Sequence, residues 1–171
     1  MTEGVENNQL AQLEALFEQL NLDAIKYDHP PLQTCQDADR LSLNRIGTRI
    51  KNLFLRDNYG KQHFLLLVPA DYQVDLKALS KQQQLSRLGF ASSQRLDKYL
   101  GVKPGCVSAL AVVNDSDQAV NVWIESSLWQ AEQFQCHPFF NDKTWVLNKA
   151  DLLRFFEHTG HAPQVIDVPC L

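Results

Sequence analysis

The segment Arg49-Ile50-Lys51-Asn52-Leu53-Phe54-Leu55-Arg56-Asp57 constrains the fold more than any other part of the chain. Its apolar centre is strand-sized and ends at a turn signal, Asn58-Tyr59-Gly60. A second apolar run, His63-Phe64-Leu65-Leu66-Leu67-Val68, follows at once. Two such runs around a glycine-containing turn read as a hairpin of buried strands. Lys51 and Asn52 stand where the first strand is entered. A lysine and an amide at that point place a cation and a hydrogen-bonding group beside an apolar pocket, an arrangement that can grip a polar ligand while the pocket sizes an apolar one.

Around the hairpin, Asn8 to Leu20 places Leu10, Leu13, Leu16, Phe17 and Leu20 on one helical face, with Asn7 or Asn8 as its cap. Asp23 to Asp28 reads as a short strand, and His29-Pro30-Pro31 forces an extended exit because proline restricts itself and its predecessor. Asp37 to Leu43 reads as a short helix. Asp75 caps a helix running through Gln83. Ser92 or Ser93 caps another that runs to Leu100 and is stopped by Gly101. After the turn at Pro104-Gly105, Val107 to Val113 and Ala119 to Glu125 read as a hairpin around Asn114-Asp115-Ser116-Asp117. Glu132 to Cys136 and Thr144 to Asn148 bracket the loop His137-Pro138-Phe139-Phe140-Asn141. Asn148 caps a last helix through His158, with Asp151 at its third position and Gly160 beyond its end. Val165 to Val168 closes the chain as a strand. Strands outnumber helices, and the expectation is an α+β domain with a mixed, largely antiparallel sheet packed with helices.

The chain has 171 residues with 44% hydrophobic content, enough for one core and one domain spanning residues 1–171. No apolar run reaches membrane length, and the polar N-terminus lacks the pattern of a signal peptide, so a cytoplasmic location is expected, with no membrane partner. Cys35, Cys106, Cys136 and Cys170 are widely spaced and read as free thiols. The net charge of −4 speaks against a general nucleic-acid binder, but its distribution is uneven. Arg40 to Lys103 holds twelve basic and four acidic residues, whereas the rest holds four basic and sixteen acidic ones. A basic zone on an acidic body suits local docking of a polyanion, although solvated helix faces account for the same charges more simply. Nothing resembles a DNA-recognition helix, so no DNA partner is expected.

No grouping has convincing metal-ligand spacing. Cys136-His137 are adjacent, and Gly160 breaks the helix between His158 and His161. No Gly-x-Ser-x-Gly occurs, no cysteine has an evident activating neighbour, and Gly105 is isolated, so no phosphate loop is present. The polar positions left beside turns are Lys51-Asn52, the Pro104-Gly105 turn with Ser108, and the loop from His137 to Asn141.

Taken in order, several segments resemble one family: His29-Pro30-Pro31; Lys51-Asn52-Leu53-Phe54-Leu55-Arg56-Asp57; Leu100-Gly101-Val102-Lys103-Pro104-Gly105-Cys106-Val107-Ser108; Asn114-Asp115; His137-Pro138 with Asn141 and Thr144; and Phe156-Glu157-His158-Thr159-Gly160-His161. It is the YbaK/prolyl-tRNA-synthetase-associated domain family of trans-editing deacylases. The resemblance runs from about residue 10 to 168 and is closest to the branch directed at alanyl-tRNA(Pro). It implies hydrolysis of an amino acid wrongly attached to tRNA, with the acceptor end of mischarged tRNA as partner and prolyl-tRNA synthetase as a candidate partner. A deacylase for serine or cysteine, and a non-catalytic tRNA- or synthetase-binding module, are the alternatives.

The resemblance assigns Lys51, Asn52, Gly105 and His137 as catalytic, and Leu32, Cys106, Ser108, Ala109 and Asn141 as substrate-binding. Lys51 would hold substrate oxygens, and amides of the Gly105 loop would stabilise developing negative charge. The family picture uses the 2′-hydroxyl of the terminal adenosine to position water, with no cofactor, metal or protein nucleophile. The chain departs from the family at Ala109, where proline is usual; at Cys136, where an aromatic residue is common; and at Asp142, where threonine is frequent.

Overall fold

The computed structural model describes residues 2–29, 47–140 and 142–171. Helix α1 (Thr2–Gln19) leads into β1 (Ile25–Asp28), and β2 (Thr48–Arg56) and β3 (His63–Pro69) form the expected hairpin. Helix α2 (Leu76–Gln82), the two-residue β4 (Gly89–Phe90) and α3 (Ser93–Leu100) follow. A 3₁₀ helix (Ala109–Asn114), β5 (Val120–Glu125), a 3₁₀ turn (Leu128–Gln130), β6 (Gln133–Cys136), β7 (Lys143–Asn148), α4 (Lys149–Thr159) and β8 (Gln164–Ile166) complete the order.

The strands form one eight-stranded sheet in the order β1-β7-β6-β2-β3-β5-β8, with β4 also against β2. The β1–β7, β6–β7, β2–β3 and β2–β4 pairs are antiparallel, and β2–β6, β3–β5 and β5–β8 are parallel. The sheet is mixed, as expected.

β3 reads as a continuous apolar run because both of its faces are covered. Leu65 and Leu67 enter the larger core with Leu13 and Phe17 of α1, Leu96 and Leu100 of α3, and Phe155 and Phe156 of α4. Phe64, Leu66 and Val68 enter a second core with Leu79 of α2, Trp123 and Ile166.

The helix ends follow the capping chemistry. Asp75, Ser92 and Asn148 each accept a backbone N–H two or three residues into their helix, and Gly101 and Gly160 close α3 and α4 in the left-handed region at φ 64° and 79°.

Four expectations are corrected. Val107 to Val113 is no strand: Ala109–Asn114 is a 3₁₀ helix whose N-cap is Ser108, with Oγ accepting from Leu110 N–H at 3.2 Å. Leu110, Ala111 and Val112 are consecutively buried, and such a run does not distinguish a strand from a buried helical turn by periodicity. Helix α1 begins at Thr2, well before Asn7 or Asn8. The first strand begins at Ile25 instead of Asp23. The last is Gln164–Ile166, with Val168 packed in the core beyond it. The helix expected over Asp37 to Leu43 lies outside the described residues. No described helix is long and apolar enough to cross a membrane.

Candidate active site

Strand β2 changes neighbours along one edge. Thr48 and Arg49 pair with β6, and Leu55 and Arg56 pair with β4. Between these patches, Ile50 to Leu53 have no strand partner on that edge among the described residues. β6 ends at Cys136 because His137 is followed by Pro138, which has no N–H to continue a ladder. The sheet therefore opens beside Lys51 and Asn52.

Register and alternation decide which groups share a face. Arg49 pairs with Gln135, Gln135 with Val146, and Tyr27 with Thr144. Two residues beyond Arg49 comes Lys51, and two beyond Gln135 comes His137. Lys51, His137, Thr144 and the residue after β1, His29, thus fall on one face at the ends of adjacent strands. A direct contact supports the placement: His29 Nε2 and Thr144 Oγ1 lie 2.8 Å apart. The His29 backbone N–H donates to the Asp142 carbonyl at 2.9 Å, which fixes the loop between β6 and β7.

Lys51 is half-buried and its Nζ donates to the Tyr72 carbonyl at 2.8 Å. No carboxylate lies within ion-pair distance of that amine among the described residues. Asn52 points the other way, towards the larger core, with Ile50 and Phe54. Cys106, Val107, Ala109, Phe139 and Phe140 belong to or pack against that same core. The structure therefore separates Lys51 from Asn52 across the sheet, with the His137 loop at the opening beside Lys51.

Three buried side-chain polar atoms have no hydrogen-bond partner among the described residues: Asn52 Oδ1, His137 Nδ1 and Asp142 Oδ1. All three lie at this opening. Buried polar groups are normally satisfied, so their concentration here marks a place built for something other than packing. Phe139 adds a second mark, since it is buried with φ +71°, a region that bulky side chains rarely adopt.

Burial, and then the nearby His29, hold the His137 imidazole at about 4. The ring is neutral at neutral pH and acts as a hydrogen-bonding group, not a cation. An unfolded-state histidine titrates near 6.5. The folded pKa is depressed, so the stability tied to the neutral ring is present above about 6.5 and is lost as pH falls towards about 4. The full difference amounts to up to about 3 kcal/mol. Denaturant unfolding from pH 7 to 4 is expected to show this loss in the wild type and a flatter profile in His137→Gln; equal slopes would contradict it.

Gly105 occupies the third position of a turn in which Cys106 N–H donates to the Lys103 carbonyl at 3.0 Å. Its φ is +85°, and a Cβ built there meets nothing within 4 Å. Pro104 before it and the positive φ give a type II turn open to a ligand's approach. Ser108 is wholly buried as the cap described above, a structural task. Ala109 takes the first position of the 3₁₀ helix, where a proline would forfeit no helix hydrogen bond. Cys136 is a core residue whose thiol is pushed up to about 12 by burial. Leu32 and Asn141 lie outside the described residues.

His29 and Thr144 are brought to the site although neither was assigned a role. Their signal was their place in the His-Pro-Pro segment and after the His-Pro loop. His161, by contrast, is buried and has both ring nitrogens engaged, Nε2 with Asp115 at 2.8 Å and Nδ1 with Thr159 at 2.9 Å, so it serves the fold.

An opened sheet with a cation, two imidazoles and a hydroxyl at the opening defines a site for a polar, oxygen-rich substrate, and comparison with known proteins is specific. Residues 29–155 match the model of the aminoacyl-tRNA editing domain. The chain is 32% identical over 154 residues to the prolyl-tRNA editing protein ProX of Acetoanaerobium sticklandii, covering 90% of this chain and 94% of that one. It is 31% identical over 157 residues to prolyl-tRNA synthetase associated domain-containing protein 1 of Danio rerio, covering 91% and 85%. A solved structure described as a candidate trans-editing enzyme for prolyl tRNA synthetase has the same fold, with a TM-score of 0.69 at 16% identity over 94% of this chain and 96% of that one.

The chain belongs to the aminoacyl-tRNA editing domain family. It is a deacylase, and an aminoacyl-tRNA is its substrate.

Proposed function

We propose that the chain is a single-domain trans-editing enzyme that hydrolyses a small amino acid wrongly attached to tRNA(Pro), alanine foremost. The observation that carries this reading is the gathering of Lys51, His29, His137 and Thr144 at the open edge of β2. The names of the relatives point to prolyl-tRNA, and to prolyl-tRNA synthetase as the partner whose errors are corrected.

Hydrolysis needs attack of water on the ester carbonyl, stabilisation of the oxyanion that forms, and departure of the ribose oxygen with a proton. Water contributes the new C–O bond, the ester C–O bond breaks, and the water proton ends on the ribose hydroxyl. Lys51 supplies positive charge for the substrate's oxygens once its amine leaves the Tyr72 carbonyl. The Gly105 N–H, the one donor of that turn outside its own hydrogen bond, is suited to the oxyanion. His137, neutral and with an Nδ1 that has no partner among the described residues, holds a hydroxyl or the substrate amine, and Asn52 Oδ1 is a second acceptor. In this reading the substrate's own 2′-hydroxyl positions the water, and no cofactor takes part.

Alanine is the expected target because a synthetic site shaped for proline cannot strongly exclude a smaller residue, so a second, smaller site restores accuracy. The test is a panel of tRNA(Pro) charged with alanine, serine, cysteine and proline. Alanine is expected to be released fastest and proline spared. Preference for serine or cysteine would reassign the substrate, and hydrolysis of none would remove the reading.

A further inference from the structure

The far end of β2 carries a second built feature. A cleft of about 360 Å³ lies where the β2–β3 turn meets β4 and the start of α3. Its walls include Arg56, Arg95, Tyr59 and Phe90, and no carboxylate lines it. Tyr59 is 74% exposed and Phe90 63%, the most exposed aromatic side chains among the described residues. Neither packs in a core, yet both flank the same cleft.

The arginines are held in place. Arg95 Nη1 donates to the Gly60 carbonyl at 3.1 Å and to His63 Nε2 at 2.9 Å. His63 is itself fixed in a buried stack, its ring 4.1 Å from Tyr99 and 5.7 Å from Phe54. Arg56 Nη1 donates to the Asp57 carbonyl at 3.1 Å. The Asp57 carboxylate accepts from Lys61 and Gln62 N–H and forms no ion pair with either arginine among the described residues. The other guanidinium nitrogens have no hydrogen-bond partner among the described residues, so each arginine keeps donors for a ligand.

Flat exposed rings beside unpaired, rigidly mounted guanidinium groups are the means by which proteins hold single-stranded nucleic acid: bases stack on the rings and phosphates meet the cations. We propose that this cleft binds the single-stranded 3′ end of the substrate RNA, next to the acceptor stem, with Tyr59 and Phe90 as stacking platforms and Arg56 and Arg95 as phosphate ligands. The proposal rests on the reading of the chain as an enzyme acting on charged tRNA. Five residues of β2 separate Lys51 from Arg56, about 17 Å along a strand, and strand alternation turns the two side chains to opposite faces. RNA that reaches both therefore passes over the open edge of β2.

The test uses the full chain and an uncharged RNA stem-loop with the acceptor-stem sequence of tRNA(Pro), made with a four-nucleotide 3′ overhang or with a blunt end. The wild type is expected to bind the overhang form more tightly. Tyr59→Ala and Phe90→Ala, which remove exposed rings and leave both cores intact, are expected to weaken that binding by about tenfold each. Arg56→Gln is expected to lower the slope of log Kd against log salt by about 0.7. Equal affinity of the wild type for both RNAs, or wild-type affinity in both aromatic variants, would overturn the proposal.

A chemical arm separates this proposal from the one on which it rests. Alanyl-adenosine, too short to reach the cleft, is expected to be hydrolysed equally by the wild type and the cleft variants, whereas alanyl-tRNA(Pro) shows a raised KM in the variants. If the wild type cleaves neither ester, the deacylase reading fails while the RNA binding data still decide the cleft. If it cleaves both and the variants show an unchanged KM for the tRNA, the cleft alone is refuted.

Discussion

Lys51→Ala is expected to lower single-turnover deacylation by about 10²- to 10³-fold while leaving the fold intact. The size follows from removing one preorganised group that stabilises charge developing in the transition state. The structural cost is small. Lys51 lies at the open edge of β2, and its amine engages a single backbone carbonyl, that of Tyr72. Losing that bond is worth on the order of 1 kcal/mol, so the circular dichroism spectrum and thermal midpoint should stay near those of the wild type. Lys51→Arg should not restore the rate, because a planar fork does not replace a compact ammonium at a fixed point. Near-normal turnover in a folded Lys51→Ala protein would mean that this amine belongs to the scaffold and that the chemistry lies elsewhere.

Asp115→Ala is expected to have the opposite signature, a large loss of stability with turnover kept at low temperature. Asp115 Oδ2 accepts from Val120 N–H at 2.8 Å, at the start of β5, and meets His161 Nε2 at 2.8 Å. Both side chains are buried, at 5% and 4% exposure. The carboxylate thereby ties the segment after α4 to the central sheet. Truncation leaves a strand N–H and an imidazole without their partner in an apolar surround. Leaving two buried groups without their partner costs about 1–3 kcal/mol each. For a chain of this length that corresponds to a fall in thermal midpoint of roughly 10 °C or more. None of the groups gathered at the opening of β2 touches Asp115, so kcat/KM well below the new midpoint should be retained. A change of under about 1 kcal/mol would show that water satisfies these groups and that the tie is incidental.

Local chemistry made much of the fold legible. Asp75, Ser92 and Asn148 cap helices because a short polar side chain before an amphipathic run has a donor within reach, and Gly101 and Gly160 end helices because they tolerate positive φ. The β2–β3 hairpin was written in two apolar runs around one turn. Sheet order was not legible. The parallel contacts of β2 with β6 and of β3 with β5 join strands far apart in sequence, and no periodicity records which strands meet. The segment Ala109–Asn114 misled for a different reason: burial on all sides erases the alternation that separates strand from helix.

The site was legible as positions more than as geometry. Lys51 and His137 stand where the sheet opens. Lys51 and Asn52, read as a pair, project to opposite faces, which follows from strand alternation alone. His29 was missed because its part depends on β1 lying against β7, a contact more than a hundred residues away in sequence. The basic zone from Arg40 to Lys103 acquires specific content in Arg56 and Arg95, which the fold brings to one cleft from different elements.

The central claim is that this opening of the sheet removes a wrong, small amino acid from tRNA(Pro) and spares the right one. Its most direct test is kcat/KM for alanyl-tRNA(Pro) against prolyl-tRNA(Pro), measured with the same wild-type protein and with Lys51→Ala as the blank. The account predicts rapid release of alanine, slower release of proline by about ten- to two-hundredfold or more, and neither reaction above background in the blank. Equal rates for the two esters, or no release of alanine by the wild type, would contradict it.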